Sequence, residues 1–228
     1  MTRARVETEG ETQGEDWPGL TEAERDRRWR EVRWRMDLAG LDCLLVWGNE
    51  SKWQSALANN RYLTGRVAPG CVLFPLDGEP VIWSGFPHDV TKWGALAGGW
   101  VEDVRSGHSI TENINGTLRD LRLANGAIGV VGFGETRPRV IPETVPYQQF
   151  SGITSALSGA RFVEAGWLLE QARIIKGSEE IACIRKSAEL AKAMADALIA
   201  SAQPFPSRLK AQVPSTPEWP QQRALTFR

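Results

Sequence analysis

Apolar side chains take up a helical period soon after the start of the chain. Trp29, Val32, Met36 and Ala39 fall at i, i+3, i+7 and i+10, one face of a helix. Thr21 stands at the N-cap position, Glu22 and Glu24 occupy the first turn, where the helix dipole favours acid, and Gly40 ends the period. Residues 43–47 (Cys-Leu-Leu-Val-Trp) follow as a short unbroken apolar run of the kind a sheet buries on both faces. Residues 48–60 are polar, with a short helix expected around 52–58. Two further apolar runs, 70–75 and 79–83, flank Leu76-Asp77-Gly78. Asp-Gly between apolar runs signals a hairpin, so this pair is expected to be antiparallel. Beyond it the pattern alternates: helix 89–97, strand 100–104, helix 111–124, strand 127–131, helix 142–157 and strand 161–164.

Strands alternating with helices give an α/β layer architecture, and the hairpin makes its sheet mixed. The expectation is a six-stranded sheet flanked by helices, in ribonuclease H-like layering, spanning residues 20–166. Residues 1–19 are polar and read as a disordered tail, and 167–177 read as a linker. Residues 178–202 form one further, isolated helix, opened by Glu179 and Glu180, with Ile181, Ile184, Ala188, Ala191, Ala195 and Leu198 in one stripe. Left unpartnered, such a stripe drives association or leaves its segment mobile. From 203 to 228 the chain turns proline-rich, with Pro204, Pro206, Pro214, Pro217 and Pro220, and no period survives, so disorder is expected there.

Composition narrows the function classes. Twenty-seven basic against 28 acidic side chains, a net charge of -1, give no global attraction to nucleic acid or anionic membrane. The first helix does carry a basic cluster with Trp29 and Trp34 interleaved. Its Glu24–Arg28, Asp26–Arg30 and Glu31–Arg35 spacings are i, i+4 pairs of favourable polarity, so the cluster reads as a solvated, self-neutralised face. No apolar run approaches the roughly 18–20 residues of a membrane helix, and the N-terminus lacks the apolar core of a secretory signal. Cys43, Cys71 and Cys183 are too few and too scattered for a disulfide framework. A cytoplasmic protein with no nucleic-acid and no membrane partner is expected. Ten tryptophans are a surplus for 228 residues and call for a structural reason.

Chemistry-bearing motifs fail on inspection. His88 and His108 are the only histidines and lie in no metal-ligand spacing. Gly107-His108-Ser109-Ile110-Thr111 imitates a nucleophile elbow, but Thr111 replaces its second glycine, and Ser109 or Thr111 reads as an ordinary N-cap. Gly132-Phe133-Gly134 follows a strand, yet Arg137 replaces the third glycine of a dinucleotide fingerprint and Pro138 bars an immediate helix. A small-molecule-binding domain using that turn is the minor alternative. No catalytic residue, metal ligand or cofactor can be assigned, and whether the chain is an enzyme stays open at this level.

Three segments are nevertheless familiar. Leu38-Ala39-Gly40-Leu41-Asp42-Cys43-Leu44-Leu45-Val46, Asn60-Arg61-Tyr62-Leu63-Thr64-Gly65-Arg66 and Arg173-Ile174-Ile175-Lys176-Gly177-Ser178-Glu179-Glu180-Ile181 resemble, in order and spacing, segments of the creatinase/prolidase metallohydrolases. That family includes aminopeptidase P and Xaa-Pro dipeptidases. Arg66 stands where the family usually has Phe, and Gly177-Ser178 replaces its Ser-Pro.

The resemblance implies a two-domain parent. Its N-terminal domain is a mixed α/β sheet, and its C-terminal pita-bread domain supplies two Asp, one His and two Glu to two divalent ions (Mn, Co or Zn). Residues 178–202 would be the first helix of that second domain, and none of the five ligands can be assigned beyond it. The chain thus reads as a truncated, non-catalytic N-terminal domain, whether by biology, frameshift or gene prediction. Its implied roles are dimerisation and shaping of a substrate cleft for a peptide or amino-acid derivative. Tyr62, Arg66, Trp53 and Asn60 are the substrate-facing candidates on that analogy. A free-standing dimerisation or regulatory module, pairing with an intact paralogue, is the main alternative.

Overall fold

The computed structural model describes residues 18–48, 58–65, 70–84, 99–107, 109–133 and 145–201. The expected helix at 89–97, most of that at 52–58 and both expected tails lie outside the described residues, apart from residues 18–19. The chain divides into two compact units, Met1–Ile184 and Arg185–Arg228.

In the first unit, helix α1 (Glu22–Ala39) leads into strand β1 (Cys43–Gly48), helix α2 (Ala58–Thr64), and strands β2 (Gly70–Pro75) and β3 (Val81–Ser84). Strand β4 (Asp103–Ser106), helix α3 (Ile110–Asp120), strand β5 (Ala127–Val131), helix α4 (Tyr147–Ala156), strand β6 (Arg161–Glu164) and helix α5 (Gly166–Ile174) follow. The six strands form one sheet in the order β4-β3-β2-β1-β5-β6. β2 pairs antiparallel with β1 on one side and β3 on the other, with Leu45 opposite Leu73 and Val72 opposite Ile82. β4 joins β3 in parallel, and β5 and β6 extend parallel from β1. The Asp77-Gly78 turn makes its hairpin as expected, with Gly78 at φ 102°.

Alternation along the central strands splits the core in two. Leu44 and Val46 point to a cluster with Trp29, Val32 and Met36 of α1, Tyr62 and Leu63 of α2, and Leu168, Leu169 and Ala172 of α5. Cys43, Leu45 and Trp47 point to the opposite cluster, closed by Ile114 and Leu118 of α3 and Ile153 of α4. Each fully buried Leu or Ile of this kind contributes about 1.5–3 kcal/mol. Burial pushes the Cys43 thiol up to about 12 and Cys71 well above its usual value, as expected of cysteines that serve as small hydrophobes.

The tryptophan surplus has a use here. Trp29 Nε1 donates to the Leu63 carbonyl at 2.8 Å, Trp47 Nε1 to Gln149 at 3.0 Å, and Trp83 Nε1 to Thr117 at 3.0 Å. Each bond ties two elements together while the indole body fills the core.

Three features depart from the sequence-based expectation. Residues 167–177, expected as a linker, hold α5, whose Leu168 and Leu169 are fully buried. Strand 100–104 is displaced to Asp103–Ser106, and Trp100 and Val101 go to the core instead. Thr21 makes no side-chain cap bond to α1. By contrast, Gly40 ends α1 in the left-handed conformation at φ 61°, and Ser109 caps α3 by accepting from the Glu112 amide at 3.3 Å.

Helix α6 (Ser178–Ser201) starts in the first unit and supplies the described residues of the second. None of its residues is buried: Ile181, Ile184, Leu190, Met194, Leu198 and Ile199 are all exposed.

Candidate functional site

Helix α2 carries two of the four candidate residues, and it turns both inward. Its Asn60, Tyr62, Leu63 and Thr64 are buried, whereas Arg61 is exposed. Asn60 Nδ2 donates to the Gly70 carbonyl at 3.2 Å, tying α2 to the start of β2. Tyr62, 4% exposed, donates its hydroxyl to the Ala172 carbonyl of α5 at 3.2 Å. Burial pushes the Tyr62 phenol above its ordinary value despite the nearby Arg27 and Arg28 charges. Its hydroxyl is therefore held as a neutral donor to the backbone. Trp53 and Arg66 lie outside the described residues.

The strongest electrostatic feature surrounds Tyr62. Arg28, 3% exposed, lies with its guanidinium 4.6 Å from the Tyr62 ring and 5.1 Å from the Trp100 ring. Its Nη1 donates to the Tyr62 carbonyl at 3.2 Å, its Nε to Glu24 at 2.9 Å, and its Nη2 pairs with Glu180 at 3.1 Å. Arg27 reaches the same two acids, with Nη2 2.7 Å from Glu24 Oε1 and 3.2 Å from Glu180 Oε2. Burial raises the Glu24 carboxyl, but hydrogen bonds from Arg27 and Arg28, with their charges, outweigh it and hold the group below its ordinary value. Two guanidinium and two carboxylate groups balance in charge, which is what allows Glu24 and Arg28 to be buried.

This differs from the solvated face expected of α1. The Glu24–Arg28 spacing is realised, but in the interior, with both side chains 4% exposed. On α1, Glu31–Arg35, at 2.6 Å, is an i, i+4 pair nearer the surface, and Asp26 bonds Arg25 at 2.9 Å. The participation of Glu180 and Trp100 was not visible in the sequence, where Glu180 read only as a helix-opening acid.

Among the described residues no three His, Cys, Asp or Glu side chains group to hold a metal ion. The dinuclear centre implied by the resemblance therefore finds no ligand set in the described part of the chain.

A mixed sheet between two helical layers, with Tyr62 of α2 bonded to α5, defines a layered α/β domain. Residues 28–175 match the creatinase/prolidase N-terminal domain, and the chain belongs to that family. A probable Xaa-Pro aminopeptidase of Aspergillus clavatus is 37% identical over 117 residues, 51% of this chain and 22% of that protein. The chain thus spans about a fifth of the length of this curated relative. Among solved structures, the X-Pro aminopeptidase of Thermotoga maritima superposes with TM-score 0.58 at 19% identity, over 74% of this chain and 43% of its own. A prolidase of Thermococcus sibiricus superposes with TM-score 0.56 at 16% identity, over 83% and 45%. At such identities these two likenesses bear on the fold alone.

Proposed function

We propose that this chain serves as the N-terminal domain of a Xaa-Pro peptidase or creatinase-type metallohydrolase, itself non-catalytic, acting in dimerisation and in shaping a substrate cleft. The observation that carries the reading is the match of residues 28–175 to the family's N-terminal domain. The substrate on this reading is a peptide or amino-acid derivative, cleaved in full-length relatives with two divalent ions held elsewhere. Arg66 and Trp53 are the cleft-facing candidates, the guanidinium pairing with a substrate carboxylate. Tyr62 and Asn60 support the segment between them by anchoring α2, in keeping with their inward bonds.

Two measurements test the reading. Incubation of the chain with Mn²⁺, Co²⁺ or Zn²⁺ and a Xaa-Pro dipeptide is expected to give no hydrolysis above buffer. Metal-dependent turnover would overturn the non-catalytic role. Sedimentation equilibrium is expected to return twice the 25.3 kDa chain mass. A strict monomer across micromolar concentrations would remove the dimerisation role.

A further inference from the structure

The two acids that open α6 do more than complement a helix dipole. Glu180 Oε2 accepts from the Gly177 amide at 2.9 Å, the reciprocal half of a capping box. The same carboxylate meets Arg27 at 3.2 Å and Arg28 at 3.1 Å, both on α1. Glu179 accepts from the Thr21 amide and hydroxyl, both at 2.7 Å, which explains why Thr21 does not cap its own helix. Cys183 Sγ donates to the Pro18 carbonyl at 2.9 Å. Gly177 is buried beside Glu24: a Cβ there would stand 2.5 Å from Glu24 Oε2, so the absent side chain leaves room for the carboxylate.

We propose that Glu24, Arg27, Arg28 and Glu180 form an electrostatic clasp that holds the first turn of α6 on α1 while Glu24 is ionised. The clasp commits residues 178–184 to the first unit although the helix has no buried residue of its own to hold it there. Polar contacts thus replace the apolar packing that docks a helix in most domains. The charged and titratable groups facing Glu24 are Arg27 and Arg28 of α1, Glu180 of α6 and Tyr62 of α2. Because the Glu24 carboxyl lies below its ordinary value of 4.5, its contribution is complete above that value. It is lost as pH falls through the lowered folded value, and with it go the bonds by which Glu24 holds Arg27 and Arg28 toward Glu180, so the clasp opens in acid and not in base.

Hydrogen–deuterium exchange of the full chain, corrected for intrinsic rates, tests this. Arg27→Gln and Glu180→Gln are each expected to speed exchange of the 181–184 amides tenfold or more at pH 7, with β1 amides unchanged. Lys192→Gln, which breaks the exposed Lys192–Asp196 pair further along the same helix, is expected to leave 181–184 unchanged. Arg27 is the discriminating variant, since it lies on α1 and cannot alter the intrinsic helicity of α6. In the wild type, protection of 181–184 is expected to stay level from pH 8 to about pH 5 and to fall below that, ahead of the sheet. An Arg27→Gln chain with unchanged 181–184 exchange, or protection that falls only together with β1, overturns the clasp.

Discussion

Gly129 sits in the middle of β5, where a side chain would have to share space with three neighbours. A Cβ there would lie 2.7 Å from Leu44 Cδ2, 2.8 Å from the Ala165 Cβ and 2.9 Å from Leu41 Cδ1. Ala165 leads into α5, so this glycine sets how closely that helix approaches the sheet. Its neighbours are core atoms with no room to retreat. Gly129→Ala is therefore expected to destabilise the domain by about 1–3 kcal/mol, the usual cost of overpacking, read as a lower urea midpoint. An unchanged midpoint would show that the α5–sheet contact yields freely. Arg33 illustrates the opposite use of a residue: it donates to the Gly78 carbonyl and lies 5.2 Å from the Phe74 ring centroid, joining α1 to the β2–β3 turn.

At the scale of elements, α3 offers the cleanest test of local chemistry. Its N-cap Ser109 accepts from the Glu112 amide, satisfying one of the four donors a helix start leaves open. Ser109→Ala is expected to cost about 1 kcal/mol in chemical denaturation, and Ser109→Gly only a few tenths. Equal losses in the two variants would point to something other than capping. That cap was legible in the sequence, as were the β2–β3 hairpin and the end of α1, because each is dictated by residues adjacent in the chain. Helix α5 was not, since its buried set, Leu168, Leu169 and Ala172, is too short to establish a period between a strand and a linker-like stretch. The inward turn of Tyr62 was equally illegible. Its direction is decided by the Ala172 carbonyl and by Arg28, partners distant in sequence. Likewise the Glu24–Arg28 spacing was readable, but its burial follows from Trp100 and Glu180, which no local pattern connects to α1.

For the whole molecule, the sheet order has a kinetic consequence. β1 is central, yet its two neighbours reach it at different costs. β2 follows closely in the chain and is joined onward to β3 by a tight turn, whereas β5 arrives only after β3, β4 and α3 have intervened. Closing the longer loop forfeits more chain entropy before any contact compensates it. During refolding, the amides of the β1–β2–β3 meander are expected to become protected first, with β5 and β6 joining in a later phase. Pulse-labelling exchange resolves that sequence, and simultaneous protection of β5 would contradict it. An unfinished sheet of this kind exposes the β1 edge meant for β5, a template onto which a strand from another nascent chain can add.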